Sequence, residues 1–300
     1  MTFSIVARDP QTGEFGAAVQ SHWFAAGLVC WAQAGVGAVA TQATVLIEHG
    51  PLGLELLRSG RSASKALAER LAADGDREHR QVAMVDREGR SAAHTGSSCI
   101  RDAGHRAAEG FSCQANMMRR DTVWDAMHVA FAGSSGPLAE RLLVALEAAE
   151  AEGGDIRGRQ AARILVVRAE STERPWEDVL VDLRVDDHPA PLPELRRLLE
   201  LQRAYDRLGA AEDMELAGDL DGSFTERQAA MAAVPGNPEI AFWTAISLGL
   251  HGRLEDARRA LAVALPADPG WAELLRRLGD QGLMEVTPEL AAELLAGPDR

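Results

Sequence analysis

Cysteine is scarce in this chain. There are three, Cys30, Cys99 and Cys113. An odd count, with no CxxC and no Cys/His ligand spacing, excludes a disulfide framework and a structural zinc site as the organising device. The thiols are expected to be reduced and mostly buried. Positive charge is also in deficit: 31 Lys and Arg stand against 45 Asp and Glu, a formal net charge of -14. Phosphate recognition needs clustered basic residues, so neither nucleic acid nor an anionic membrane is expected as a partner. No uninterrupted apolar run reaches spanning length and no basic-then-apolar leader opens the chain, so the expectation is a cytoplasmic protein with no membrane insertion. His94 and His105 have neither an i, i+4 nor an HxH spacing, and no metal or other cofactor is expected.

What is present is enough apolar material, 46% of 300 residues, for a sizeable core and two domains. Residues 3 to 8 alternate, Phe3, Ile5 and Ala7 against Ser4, Val6 and Arg8, and Asp9-Pro10-Gln11-Thr12-Gly13 is turn chemistry. A second strand from about Glu14 to Ser21 completes a hairpin. If Asp9 faces Glu14, the register sets Thr2 opposite Ser21, and a one-residue slip sets it opposite Gln20 or His22. A small-residue strand follows at Val36 to Gln42. Helical spacing from about Thr44 to Arg58, with Gly50-Pro51 marking the start of the main helix, precedes a helix opened by Ser62. Strands at about 79–85, 90–95 and 111–116 lead to helices at about 121–132 and 137–152, then to strands at 161–168 and 177–185. Paired helices between antiparallel strand groups exclude a doubly wound βα repeat. The order predicts an α+β fold, a four-layer αββα sandwich of the kind found in N-terminal-nucleophile (Ntn) hydrolases, over residues 1–204. Residues 205–300 read as a small all-α domain, in which Ala241 to Pro269 resembles one tetratricopeptide repeat, a two-helix unit with a Gly-containing turn.

The opening residue after Met1 carries chemistry. If Met1 is removed, Thr2 owns both a hydroxyl and a free α-amine that can act as its base. Gln42 and Asn116, at predicted strand ends, are candidate oxyanion donors, and Asp155 is a candidate to orient the terminal ammonium. Gln20, Ser21 and His22 lie beside the N-terminus by the hairpin register. Arg157, Arg159 and Gln160, between a helix end and a strand start, are candidates for substrate binding, where Arg could take a carboxylate bidentately. Each also has a plain structural alternative: loop-bracing ion pairs for the charged residues and backbone-satisfying amides for the rest. Asp186-Asp187-His188-Pro189 reads either as an acid-base cluster or as a strand-to-helix turn.

The strings TFSIVARDPQTGEFGAAVQS, AGVGAVATQA, GGDIRGRQAA and VDLRVDDHPAPLPELRRLLEL resemble the bacterial and archaeal domain of unknown function family 1028 over residues 2 to about 204. The resemblance implies an Ntn-hydrolase-like fold and no particular reaction. The family's GD-x-RG-x-Q motif is usually continued by Ser, where this chain has Ala161. Some members carry a C-terminal segment described as peptidoglycan-binding, whereas this tail reads as tetratricopeptide-like. Two functions follow as expectations. One is an amidohydrolase of a small amide or peptide-like substrate. The other is a non-catalytic ligand-binding or assembly protein that uses its helical tail to contact a protein partner. A homo-oligomer is expected under either.

Overall fold

The computed structural model describes residues 2–296. The fold is mixed α+β, with two antiparallel sheets and a helical C-terminal region. The elements run β1 (Thr2–Arg8), β2 (Phe15–Ser21), β3 (Cys30–Gln33), β4 (Gly37–Ala43), α1 (His49–Arg58), α2 (Ala63–Ala72), β5 (Arg80–Asp86), β6 (Ser91–Thr95), β7 (Gly104–Ala108) and β8 (Phe111–Asn116). They continue with α3 (Val123–Gly133), α4 (Leu138–Ala151), β9 (Ala161–Val167), the single turn α5 (Pro175–Asp178), β10 (Val179–Val185) and α6 (Pro191–Leu216). The remaining helices are α7 (Leu220–Ala233), α8 (Pro238–Leu250), α9 (Leu254–Ala264), α10 (Gly270–Gln281) and α11 (Pro288–Leu295). β3 and β7 are short strands that the sequence reading does not anticipate, and α6 runs through the boundary expected after residue 204.

One sheet has six strands in the order β10-β9-β2-β1-β8-β7, the other four in the order β3-β4-β5-β6. The period of two along each strand sorts side chains between the faces. On the six-stranded sheet Phe3, Ile5, Ala18, Cys113 and Ile164 join Met127, Phe131, Leu142 and Leu146 of α3 and α4 in the largest core. The alternate residues Val6, Ala17 and Val19 meet Ala38, Ala40, Ala83 and Val85 of the four-stranded sheet. On that sheet's other face Val39, Val82 and Met84 pack against Leu54, Leu57 and Leu67 of α1 and α2. The two sheets thus face each other through small side chains, with a helix pair outside each.

The hairpin takes the unslipped register. Asp9 N–H donates to the Glu14 carbonyl at 2.8 Å, and Thr2 lies opposite Ser21. Asp9 Oδ1 also accepts the Gln11 and Thr12 amides, an Asx-type turn that explains the Asp-Pro start of the loop. Burial pushes the Cys30 thiol up to about 12 and the Cys113 thiol up as well, so neither is a nucleophile at neutral pH.

The chain divides into two compact units between Leu199 and Glu200, inside α6 and a few residues before the boundary expected after residue 204. In the second unit α8 begins at Pro238, with the Asn237 side chain accepting the Ile240 amide at 3.0 Å. Its core joins Phe242, Ile246, Leu261 and Leu275.

At Gly37, where φ is +150°, an added Cβ would stand 2.2 Å from the Val85 carbonyl oxygen of the neighbouring strand. Gly37→Ala is therefore expected to lower unfolding stability by about 2–4 kcal/mol, measured by urea titration.

Candidate functional site

The inner faces of the two sheets change character along their length. Small apolar residues fill one end, and at the other lie Thr2, Ser4, Gln42, Gln81, Gln114 and Asn116, all buried. Such groups are tolerated in a dry interface only when they satisfy one another. The Gln42 amide donates to the Thr2 carbonyl at 2.9 Å and to Gln81 Oε1 at 2.6 Å, while its own oxygen accepts the Ser4 hydroxyl at 2.7 Å. Asn116 Nδ2 donates to the same Thr2 carbonyl at 3.3 Å and to the same Gln81 Oε1 at 3.1 Å. Gln81 Nε2 in turn faces the Thr95 hydroxyl and the carbonyls of Gly104 and Ala115. The Thr2 backbone is thereby fixed from both sheets at once.

The Thr2 side chain points the other way, to the floor of a cavity of about 410 Å³. Thr2 Oγ1 donates to Ser21 Oγ at 3.0 Å. One wall is the segment after β2, with Trp23, Phe24 and Leu28; the other is the segment after β4, with Val45 and Ile47. Each wall has an alanine in left-handed conformation, Ala25 (φ 51°) within the segment after β2 and Ala43 (φ 71°) at the end of β4. Non-glycine residues adopt that conformation rarely, and the surroundings must hold it.

The first wall is held by Arg163, whose Nη1 donates to the carbonyls of Gly27 and Cys30 and whose remaining nitrogens pair with Asp182. The Ala25 amide donates to the Asp186 carbonyl. The second wall is pinned at both ends. The Thr44 carbonyl accepts Arg80 Nη1 at 2.9 Å and Glu48 pairs with Arg70 at 2.6 Å. Beside them His49 Nε2 lies 3.1 Å from Asp74 Oδ2, and Arg80 Nε donates to that oxygen at 2.9 Å. Burial raises the Asp74 pKa, but its hydrogen bonds with Arg80, Asp76 and His49 outweigh that and hold it at about 2. Burial lowers the His49 pKa below the ordinary value, so the ring is neutral and donates from Nε2.

The model of the family of unknown function DUF1028 matches residues 2–195. The chain belongs to the DUF1028 family. The crystal structure of protein SPO2555 from Silicibacter pomeroyi, also described as DUF1028, is similar at 33% identity and a TM-score of 0.60, covering 66% of this chain and 84% of that one. A search of curated proteins finds no match.

In this DUF1028 chain the residues singled out from sequence fall into two groups. Thr2, Ser21, Gln42 and Asn116 come together as described. His22 and Arg157 join Asp155 next to them: Asp155 Oδ2 accepts the His22 amide at 3.1 Å, and both carboxylate oxygens are bound by Arg157. The second group turns away. Gln20 is on the helix-facing side of β2, one residue out of phase with Ser21, and donates to Glu150 at 2.9 Å. Arg159 pairs with that same Glu150. The Gln160 side chain donates to Asp187, while its main chain continues the β2 contact by donating to the Ser21 carbonyl. Arg159 and Gln160 thus take the loop-bracing alternative.

Two of the expected roles change on donor counting. A side-chain amide has two N–H bonds. Those of Gln42 and of Asn116 are engaged by Thr2 and Gln81, leaving neither amide a free donor for an oxyanion. Ala161 lies directly opposite Ser21, so the hydroxyl expected in relatives at this position would enter the same neighbourhood. The Asp186-Asp187-His188 turn closes the end of β9, with the His188 amide donating to the Gln160 carbonyl. His94 and His105 bond separately, to the Arg77 carbonyl and the Thr95 hydroxyl. Gln81, the shared acceptor, was not among the sequence candidates, because its strand reads as an ordinary buried one.

Two predictions follow from this geometry. Gln81→Leu strands the N–H groups of Gln42 and Asn116 and should reduce stability by about 2–4 kcal/mol in urea titration. Because the His49 pKa is depressed in the fold, the unfolded chain binds more protons as pH drops below 6.5, so stability should fall from there downwards. Asp74 adds a second loss between the ordinary aspartate value of 3.8 and about 2. Thermal unfolding from pH 8 to 3 should show the first phase weakened in His49→Gln.

Proposed function

We propose that this DUF1028 chain is an Ntn-type amidohydrolase of a small amide or peptide-like substrate, with Thr2 as nucleophile after removal of Met1. The observation that carries the reading is the Thr2 hydroxyl on a cavity floor while the Thr2 carbonyl is held by two buried amides. Two facing sheets with a helix pair outside each support it, since that αββα order is the layer scheme of Ntn hydrolases. Met1 itself lies outside the described residues.

With Met1 removed, the Thr2 α-amine has an ordinary pKa of about 7.7–8.0, so roughly a tenth of it is the neutral base at pH 7 and about half at pH 8. The amine takes the hydroxyl proton as Oγ1 bonds to the substrate carbonyl carbon. Collapse of the tetrahedral intermediate breaks the C–N bond, and the proton leaves on the departing amine. The acyl group is then an ester on Thr2. Water, deprotonated by the same α-amine, attacks that ester; the C–O bond breaks, Oγ1 recovers the proton, and the carboxylic acid departs. Ser21 orients the Thr2 hydroxyl. Gln42, Asn116 and Gln81 are positioning residues, and Asp155 fixes the chain just after Ser21 while neutralising Arg157.

A ligand-binding protein without turnover is the second reading, and Ala161 opposite Ser21 favours it. For the second unit we read α8 and α9 as a tetratricopeptide-like pair serving a protein partner, and we read the chain as a cytoplasmic homo-oligomer.

Intact-mass analysis should find the chain beginning at Thr2. Thr2→Ala should lower kcat/KM for an amide substrate by roughly 10³-fold or more, with Thr2→Ser retaining activity. Met1 retained on active protein, or unaltered turnover in Thr2→Ala, would sink the hydrolase reading.

A further inference from the structure

The cavity over Thr2 has no ionisable side chain in its lining. Thr2 and Ser21 are the hydroxyl-bearing residues of the lining, and the other lining side chains are hydrocarbon, phenyl and indole. That is unusual surface for a chain of net charge -14. Charged groups that brace the site and its walls are already matched: Arg157 with Asp155, Arg159 with Glu150, Arg163 with Asp182, Arg80 with Asp74 and Glu48 with Arg70. A carboxylate or ammonium lying against the walls, away from the Thr2 α-amine, would lose hydration and find no counter-ion among the lining side chains.

The walls are also presented outward. Trp23 is 69% exposed, Leu28 58%, Ile47 51% and Val45 41%. Large apolar side chains left in water on tethered segments, next to a concave space, mark a surface made to cover an apolar ligand. Their segments are held by Arg163 on one side and by Arg80 and the Glu48–Arg70 pair on the other, so little ordering accompanies binding. An apolar cavity of roughly 150 Å³ holds a benzene molecule. The 410 Å³ here therefore accommodates one ring or a short alkyl chain together with the amide it is attached to.

We propose that the substrate is an uncharged amide whose acyl part is a compact hydrocarbon of hexanoyl or phenylacetyl size, lying between Trp23 and Leu28 on one side and Val45 and Ile47 on the other. This assignment rests on Thr2 as the reacting group, over which the substrate carbonyl carbon sits. It replaces the expectation that Arg157 or Arg159 receives a substrate carboxylate. The acyl pocket excludes acidic tails and gives small acyl groups such as acetyl too little contact.

The test separates binding from turnover. Calorimetric titration of the full-length Thr2→Ala chain with hexananilide, acetanilide and the monoanilide of adipic acid compares three ligands that share the same aniline part. Hexananilide should bind roughly 100-fold more tightly than acetanilide, the ratio expected for the added buried methylenes, and at least as much more tightly than the carboxylate-ended analogue. Val45→Asp and Leu28→Asp, placed in the same Thr2→Ala chain, should each weaken hexananilide at least tenfold. Both positions are exposed, so the variants should keep their unfolding midpoint, which is checked in parallel. Equal affinities, tighter binding of the adipic monoanilide, or hexananilide binding unchanged by both Asp variants would overturn the assignment. So would a dimer that covers Trp23 and shuts the amide out. If the binding order holds but the unmodified Thr2 protein does not hydrolyse hexananilide, the pocket assignment stands and the nucleophile reading falls.

Discussion

The main-chain carbonyl oxygen of Thr2 accepts hydrogen bonds from Gln42 on one sheet and Asn116 on the other, and both donors share the side-chain oxygen Oε1 of Gln81. Around them the inter-sheet space holds mostly alanine and valine, so water is not available as a substitute partner. In such a medium an unmade hydrogen bond is far more unfavourable than a made one is favourable. A slip of one residue in β4, β5 or β8 would move one of these amides to the opposite face and leave its partners bare, and a slip in β1 would carry the Thr2 carbonyl away from its two donors. The cluster therefore specifies one register for four strands, and through that register it aims the Thr2 hydroxyl at the cavity.

The walls of the cavity are governed by a different balance. Charged groups do much of the holding, but from behind: Arg163, Arg80 and Arg70 grip the backbone or acidic partners of the two wall segments, and the cavity surface itself is left uncharged. Pairing close to burial keeps these ions from attracting ligands of their own. It also couples one wall to protonation, because His49 and Asp74 sit where the second segment is pinned. The acyl transfer we propose would need such an arrangement, with a hydroxyl at the base of apolar sides.

Much of the first unit was legible beforehand. Alternation in residues 3 to 8 and the Asp-Pro-Gln-Thr-Gly turn led to the hairpin and to Thr2 opposite Ser21, because turn length and period together leave few registers. Pro and Ser signals located the starts of α1, α2 and α4 within a few residues. β3 and β7 escaped because each is short and only Cys30 among their residues is fully buried, so no alternation marks them. Gln20 and Ser21, adjacent in sequence, were both assigned to the site, and only strand parity separates them. Arg159 and Gln160 were likewise drawn in by a position near the site, although Glu150 and Asp187 take their side chains.

The sequence by itself determined the α+β class, the hairpin register and the presence of a hydroxyl residue at its open end, since each depends on local periodicity and turn chemistry. Only the tertiary structure decided what surrounds that hydroxyl. Gln42, Gln81 and Asn116 come from three strands spread over 75 residues of numbering, and their joint contact exists only once the two sheets face each other. The same holds for the cavity, whose walls Trp23 to Leu28 and Val45 to Ile47 are brought to face each other by pairing partners elsewhere in the fold. Periodicity tells which face a side chain takes; which other side chain it meets there is settled by packing between sheets, and that information is not local.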